Sequence, residues 1–96
     1  MEETKAMDRP TEYKQHDKMT KYMTFELIGR KPKTTVWLVC NNKSGGILGG
    51  VEWYSQWRQY VFMPEGDTIF NNGCLKDIED FLTNLNEQQR LRIKNS

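Results

Sequence analysis

Few residues in this 96-residue chain could do covalent chemistry, and their spacing does not bring them together. The single histidine, His16, lies in a polar stretch, and the two cysteines, Cys40 and Cys74, are far apart and form no CxxC or Cys/His motif. A nucleophile needs a base held beside it, and a structural metal site needs several ligands at short spacings. The sequence therefore predicts a non-enzymatic protein without metal or cofactor, in which both cysteines are free thiols.

Two further motifs resemble ligand sites, but each has a simpler interpretation. Asp77, Glu79 and Asp80 could bind a metal, yet they come early in a helical pattern, where the helix dipole favours carboxylates. The glycine-rich GGILGG at residues 45–50 matches neither GxGxxG nor the P-loop pattern, and it does not precede a helix. We therefore predict a helix start at the first motif and turn geometry at the second.

The most concentrated feature of the sequence is a cluster of aromatic residues. The stretch VEWYSQWRQYVFMP, residues 51–64, contains five rings and one arginine. Trp, Tyr and Arg are the residues that protein interfaces favour at their centres. Large rings are also ordinary core material, so their placement on the sheet decides between the two interpretations.

Length and composition limit the alternatives. A chain of 96 residues allows one compact domain, and a net charge of +1 favours neither a strongly cationic nor an acidic partner surface. No apolar run approaches the roughly 20 residues that a membrane span requires. With no signal-peptide pattern and no cysteine framework, we expect a soluble, cytoplasmic protein in a reducing compartment.

The pattern along the chain predicts an α+β fold. Residues 1–21 are polar and charged, and we expect a disordered arm there, with a single domain over residues 22–96. YMTFELI, TTVWLVCNN, ILGGVEWYS and WRQYVFM are typical of strands, and the basic GRKPK and the NKSGG segments between them are typical of turns. We predict a three- or four-stranded antiparallel meander packed against one C-terminal helix. The helix has Asn71 or Asn72 as its N-cap. Its apolar stripe comprises Leu75, Ile78, Phe81, Leu82 and Leu85.

Tight turns define two sheet faces. A turn centred on Ser55 and Gln56 places Arg58 opposite Trp53, and a turn centred on Ser44 and Gly45 places Leu38 opposite Val51. The predicted core face then carries Val36, Leu38, Cys40, Val51, Trp53, Tyr60 and Phe62. The predicted outer face carries Trp37, Val39, Glu52, Tyr54, Trp57, Gln59 and Val61. A slip of one residue in either hairpin would exchange the faces of a strand.

The outer face is the predicted binding surface, because one helix covers only one side of a small sheet. Its anchors are Trp37, Tyr54 and Trp57, with Arg58 at the rim over Trp53 in reach of a cation–π contact. We predict that they bind a protein partner or a second copy of the chain. In the alternative, these rings belong to the core or are covered by the first strand and the arm.

A nucleic acid or a nucleotide is the second candidate partner. Exposed rings stack on bases while basic side chains contact phosphates, and sheet-reading DNA-binding domains provide an analogy at the level of architecture. The predicted sheet itself is slightly acidic, so phosphate contacts would fall mainly to Arg30, Lys31 and Lys33 in the GRKPK segment and to lysines of the arm.

Three short segments of the sequence also resemble a known group of proteins. LGGVEWY, WRQYVFMP and CLKDIEDFL, within about half of the chain, resemble small proteins encoded by bacteriophages and prophages. The resemblance implies an origin in a mobile element and, by association, an accessory or host-directed binding role. It implies no function for any particular residue.

Overall fold

The computed structural model describes residues 16–95, and in them a meander of five antiparallel strands precedes one long helix. The strands are β1 (Lys18–Met19), β2 (Met23–Arg30), β3 (Thr35–Asn41), β4 (Ile47–Tyr54) and β5 (Gln59–Pro64), and the helix is α1 (Asn72–Asn95). Neighbours in sequence are neighbours in the sheet, in the order β1-β2-β3-β4-β5. The predicted α+β class is therefore confirmed.

The number of strands differs from the prediction of three or four. The fifth strand is β1, which pairs Lys18 with Phe25 and Met19 with Thr24 inside the segment predicted to be an arm. The Asp17 carboxylate extends this contact by accepting a hydrogen bond of 2.8 Å from the Leu27 amide. A strand of two residues carries no periodic pattern of its own. Residues 1–15 of the predicted arm lie outside the described part of the chain.

The helix begins where its capping residue predicts. The Asn71 side-chain oxygen accepts a hydrogen bond of 2.9 Å from the Cys74 amide, which is the N-cap geometry. Ile78, Phe81 and Leu85 form the buried stripe that contacts the sheet. Leu75, predicted to belong to that stripe, is exposed. Around the helix circumference it lies outside the sector that Ile78, Phe81 and Leu85 occupy.

Phe81 is the main contact between the two layers. Its ring stacks on Phe25 with centroids 4.1 Å apart and meets Trp37 edge-on at 4.9 Å. All three side chains are almost fully buried. Burying a large apolar side chain contributes about 1.5–3 kcal/mol, and such ring pairs add about 0.5–1.5 kcal/mol. The helix is therefore held on the sheet by rings from β2 and β3.

The two faces of β3 are the reverse of the prediction. Trp37, and not Leu38, lies opposite Val51, so Trp37 and Val39 are buried in the core while Val36, Leu38 and Cys40 point to the outer face. The remaining predicted core residues, on β4 and β5, do face the helix.

A bulge causes this exchange. Cys40 pairs with Ile47 but Val39 pairs with Gly49, so Leu48 is an extra residue on β4. One extra residue reverses the orientation of every side chain beyond it relative to the partner strand. The glycine after the bulge permits a close approach, because a Cβ on Gly49 would lie 2.4 Å from the Met63 carbonyl oxygen.

A buried hydrogen-bond network makes the core position of Trp37 tolerable. The indole Nε1–H donates to the Thr35 hydroxyl at 2.9 Å, and the Thr35 amide donates to the Tyr60 hydroxyl at 3.0 Å. The Thr35 and Tyr60 hydroxyls lie 3.4 Å apart. Buried polar groups cost free energy unless they are hydrogen-bonded, and here each of the three has a partner.

Strand β5 forms one edge of the sheet, and the helix covers part of it. The Tyr60 amide points away from β4 and donates to the Asn86 side-chain oxygen at 2.7 Å. Pro64 ends the strand and has no N–H to offer. The contact with Asn86 fixes the second half of the helix beside the turn between β4 and β5.

Candidate functional site

The turn between β4 and β5 contains four residues, Ser55–Arg58, where the sequence predicted two. The Tyr54 carbonyl accepts from the amides of Trp57 at 3.1 Å and Arg58 at 2.9 Å. Because the register moves by two residues, the faces of β4 and β5 stay as predicted. Tyr60 replaces Arg58 opposite Trp53, with the two rings edge-on at 5.5 Å, so Arg58 does not hold the predicted rim position.

Arg58 adopts a left-handed backbone conformation with φ at 56°. Glycine and asparagine are the residues that ordinarily close such a turn, since a side chain there costs about 1–2 kcal/mol. The turn thus holds an exposed arginine at a position where local stability would favour glycine.

Trp57 is the most exposed ring of the described residues at this turn, with 65% of its surface accessible. Its indole packs edge-on against the Tyr54 ring, with the ring centroids 5.1 Å apart. This contact supports the indole at the tip of the hairpin. Of the four residues predicted to bind a partner, Tyr54, Trp57 and Arg58 therefore come together at this turn. Trp37 does not join them, because only 2% of it is exposed and its ring packs on the helix.

A cleft of about 490 Å³ opens beside this turn, between the hairpin and the second half of the helix. The hairpin contributes rings, a guanidinium and an amide, and the helix contributes a hydroxyl, two amides and a second guanidinium. The lining residues are Trp53, Trp57, Arg58, Gln59, Thr83, Asn86, Gln89 and Arg90. Among the described residues no carboxylate lines the cleft, although Glu87 lies 4.0 Å from Arg90 in an exposed ion pair.

Gln89 is an unusual member of this lining. It is 6% exposed, and among the described residues its side-chain amide has no hydrogen-bond partner. Glutamine is seldom so buried, and here its amide is available to solvent in the cleft or to a ligand. The cleft wall therefore contains a polar group with spare donors and an acceptor.

The outer sheet face is mainly aliphatic, with one ring, Tyr54, at its end among the described residues. Val36, Leu38, Val61 and Met63 lie on it, and all of these except Val61 line a shallow hollow of about 160 Å³ that also includes Gly50. The exposed side chain of Ile28, at the bulge in β2, lines the same hollow. The described helix covers only the opposite face, and the smallest extent of the molecule, 20 Å, matches one sheet and one helix layer. Tyr54 also lies on the outer face, at the end next to the turn between β4 and β5.

The basic residues predicted as nucleic-acid contacts lie close to the helix C-terminus. Lys31 and Lys33 are in the exposed turn between β2 and β3, and Arg30 ends β2. The Arg92 guanidinium donates to the Lys33 carbonyl at 3.1 Å, which joins the end of the helix to this turn. In an antiparallel meander, this turn and the one holding Arg58 are at the same end of the sheet.

The other residues that could act as nucleophiles, bases or metal ligands are not close together. Cys40 is on the outer face and Cys74 is in the first turns of the helix, and both are free thiols. His16 is exposed before β1. Within residues 16–95, no group of three or more His, Cys, Asp or Glu side chains is placed to bind a metal ion.

Comparison with known proteins finds no similar protein. The chain matches no protein-family model, no curated protein and no solved structure. Among the described residues, no helix is both long enough and apolar enough to cross a bilayer.

Proposed function

We propose that this protein is a non-enzymatic binding module that engages a protein partner through the outer face of its sheet. The observation that supports the proposal is an aliphatic face that no described residue covers. Val36, Leu38 and Val61 are only half-buried there, and Ile28 and Met63 are 55% and 40% exposed. Contiguous apolar surface of this kind marks interaction sites in proteins of this size.

The size of the face suits a small interface. Four long strands spaced about 4.8 Å apart, each about eight residues long with a rise of about 3.3 Å, span about 500 Å² in projection. The relief of the side chains increases the accessible area toward the roughly 800 Å² per partner of a typical stable interface. Burial of the exposed halves of these aliphatic side chains would supply the free energy of association, at about 25 cal/mol per Å².

The charges on the face indicate the chemistry of the partner. Glu26 and Glu52 lie on it among the aliphatic side chains, and the described strands place no basic residue on the face between them. A partner that presents apolar side chains around a lysine or arginine would satisfy both carboxylates. A second copy of the chain would instead bring carboxylates toward carboxylates, which electrostatic complementarity disfavours.

The rings at the hairpin tip extend this surface. Tyr54 lies on the outer face and supports the exposed Trp57 next to it. Trp and Tyr at the edge of an aliphatic patch are the residue types that contribute most to binding free energy when a partner buries them.

Site-specific cross-linking tests the proposal. We would place p-benzoylphenylalanine at Met63 on the outer face and, as a matched control, at exposed Glu79 on the helix. In cells of the source organism, we expect a defined adduct from position 63 and none from position 79. The additional change Val61→Lys should remove that adduct by putting a cation into the apolar patch.

Two results would contradict the proposal. Equal labelling from positions 63 and 79 would mean that the outer face has no preferred partner. An adduct at twice the 11.4 kDa mass of the chain would identify a second copy as the partner and would refute the charge argument.

A further inference from the structure

The end of the molecule away from the helix N-terminus gathers positive charge from three separate elements. Six basic residues and one acid, Glu87, lie in residues 30–34, 55–59 and 86–92. The hydrogen bonds from Arg92 to the Lys33 carbonyl and from the Tyr60 amide to Asn86 hold these segments side by side. This basic end is invisible in the net charge of +1, because acids elsewhere balance it.

We propose that this basic end is a site for single-stranded nucleic acid, with one base held in the cleft beside Trp57 and the adjoining phosphates on the surrounding cations. The proposal concerns a different surface from the outer sheet face and does not depend on the protein-partner function. The chemistry of the cleft and the position of the cations support it in separate ways.

The cleft has the groups that bind a base. Trp57 presents an accessible indole face, and Trp53 lines the same space, so a planar ring can stack there. Gln59 and Gln89 add side-chain amides, and an amide offers the donor and acceptor pair that matches a base edge. Asn86 adds its NH2 donors, since its oxygen accepts from the Tyr60 amide. A volume of about 490 Å³ is within the usual range for sites that enclose a small ligand.

Gln89 adds a polar group to the cleft wall. The residue is 6% exposed, lines the cleft, and its side-chain amide has no hydrogen-bond partner among the described residues. A base that enters could replace solvent at this amide with a hydrogen bond, whereas an apolar ligand would displace the solvent and leave the amide unpaired. A polar, hydrogen-bonding ring is therefore the better occupant.

The cations surround the cleft mouth at positions where phosphates could follow. Arg58 and Arg90 line the cleft from opposite sides, the first from the hairpin and the second from the helix. Lys31 and Lys33 continue the positive surface along the neighbouring turn. The ion pair of Arg90 with Glu87 is long and exposed, so it competes weakly with a phosphate.

An acidic peptide is the nearest competing ligand, since carboxylates would also be attracted to these arginines. It would not use the stacking surface of Trp57 or the amides of Asn86 and Gln89 to the same extent. A single strand uses the rings, the amides and the cations together, and for that reason the observations favour it.

Fluorescence anisotropy with labelled 12-nucleotide single strands of mixed sequence, one DNA and one RNA, tests the proposal on the full chain. We expect binding whose logarithm falls with the logarithm of salt concentration with a slope of about −3, because single strands lose about 0.7 per neutralised phosphate and four cations are available. Trp57→Ala should weaken binding about tenfold with little change in slope, since stacking is not ionic.

The double change Arg58→Gln and Arg90→Gln should reduce the magnitude of the slope by about 1.4. Lys43→Gln is the matched control, because Lys43 is an exposed base in the turn between β3 and β4, at the opposite end of the sheet. Val61→Lys on the outer face should also leave oligonucleotide binding unweakened, which separates this site from the protein-partner surface.

Three results would overturn the proposal. The first is binding that Trp57→Ala leaves unchanged. The second is a loss from Lys43→Gln as large as that from the arginine pair. The third is competition by polyglutamate of equal charge as strong as that by unlabelled strand, which would assign the basic end to acidic polypeptides.

Discussion

Replacement by Ala should destabilise the fold far more at Trp37 than at Trp57, although both residues were predicted to lie on one binding surface. Trp37 is 2% exposed, packs edge-on against Phe81 at 4.9 Å and bonds Thr35 through its indole N–H. Replacement of a buried Trp by Ala costs about 3–5 kcal/mol. A small domain has a total stability of about 5–15 kcal/mol, so Trp37→Ala should leave the chain marginally folded or unfolded.

Trp57→Ala should cost at most about 1 kcal/mol. The ring is 65% exposed, and its one ring contact within the described part of the chain is the edge-on pair with Tyr54 at 5.1 Å. Such a pair contributes about 0.5–1.5 kcal/mol, and solvent exposure brings it toward the low end.

Urea unfolding followed by far-ultraviolet circular dichroism measures both changes without relying on tryptophan emission, which the substitutions alter. The difference between the two variants should be at least about 2 kcal/mol in unfolding free energy. Equal costs would contradict the placement of the two rings. A cost below about 1 kcal/mol for Trp37→Ala would restore the predicted orientation of β3 and would refute the bulge at Leu48 as the origin of the exchange.

Three further substitutions test local features, each by urea unfolding. Thr35→Val should cost about 1–3 kcal/mol, because it preserves shape but leaves the Trp37 indole N–H without its acceptor; a cost near zero would mean that the network is unimportant. Asn71→Ala should cost about 1 kcal/mol by removing the cap on the Cys74 amide, and an unchanged midpoint would contradict the capping role. Arg58→Gly should raise stability by up to about 1 kcal/mol, because relief of the left-handed backbone exceeds the entropy cost of glycine; a loss of stability would mean that the arginine side chain holds the turn together.

The sequence contained enough information for the elements that carry local signals. The apolar spacing of Ile78, Phe81 and Leu85 and the asparagine before it predicted the helix and its start. The β-branched and aromatic segments predicted the long strands and their antiparallel order. These features depend on neighbours along the chain, which is why composition and periodicity reveal them.

The orientation of β3 could not be predicted in the same way. Both Val36–Leu38–Cys40 and Trp37–Val39 are apolar, so alternation gives no preference for either set. The choice depends on one extra residue at Leu48, and a bulge has no strong sequence signal beyond the nearby glycines. Two adjacent glycines after Leu48 were the only available hint.

The cleft was beyond sequence reasoning for a different reason. Its wall combines hairpin residues with Asn86, Gln89 and Arg90 from the helix, and the contact of Asn86 with the Tyr60 amide decides which helix residues face the hairpin. A polar residue at the end of an apolar stripe, Gln89 after Leu85, was a weak indication that the helix stays against the sheet there while its lining becomes polar.

The covered edge of β5 limits how copies of this chain can associate. Strands at the margin of a sheet invite pairing with other chains, and continuous rows of free amides lead toward fibrils. Here Asn86 occupies one outward amide of β5 and Pro64 removes another, so a foreign strand would find an interrupted ladder along this edge. Copies of the chain that meet at this edge should therefore associate through side chains instead of backbone pairing.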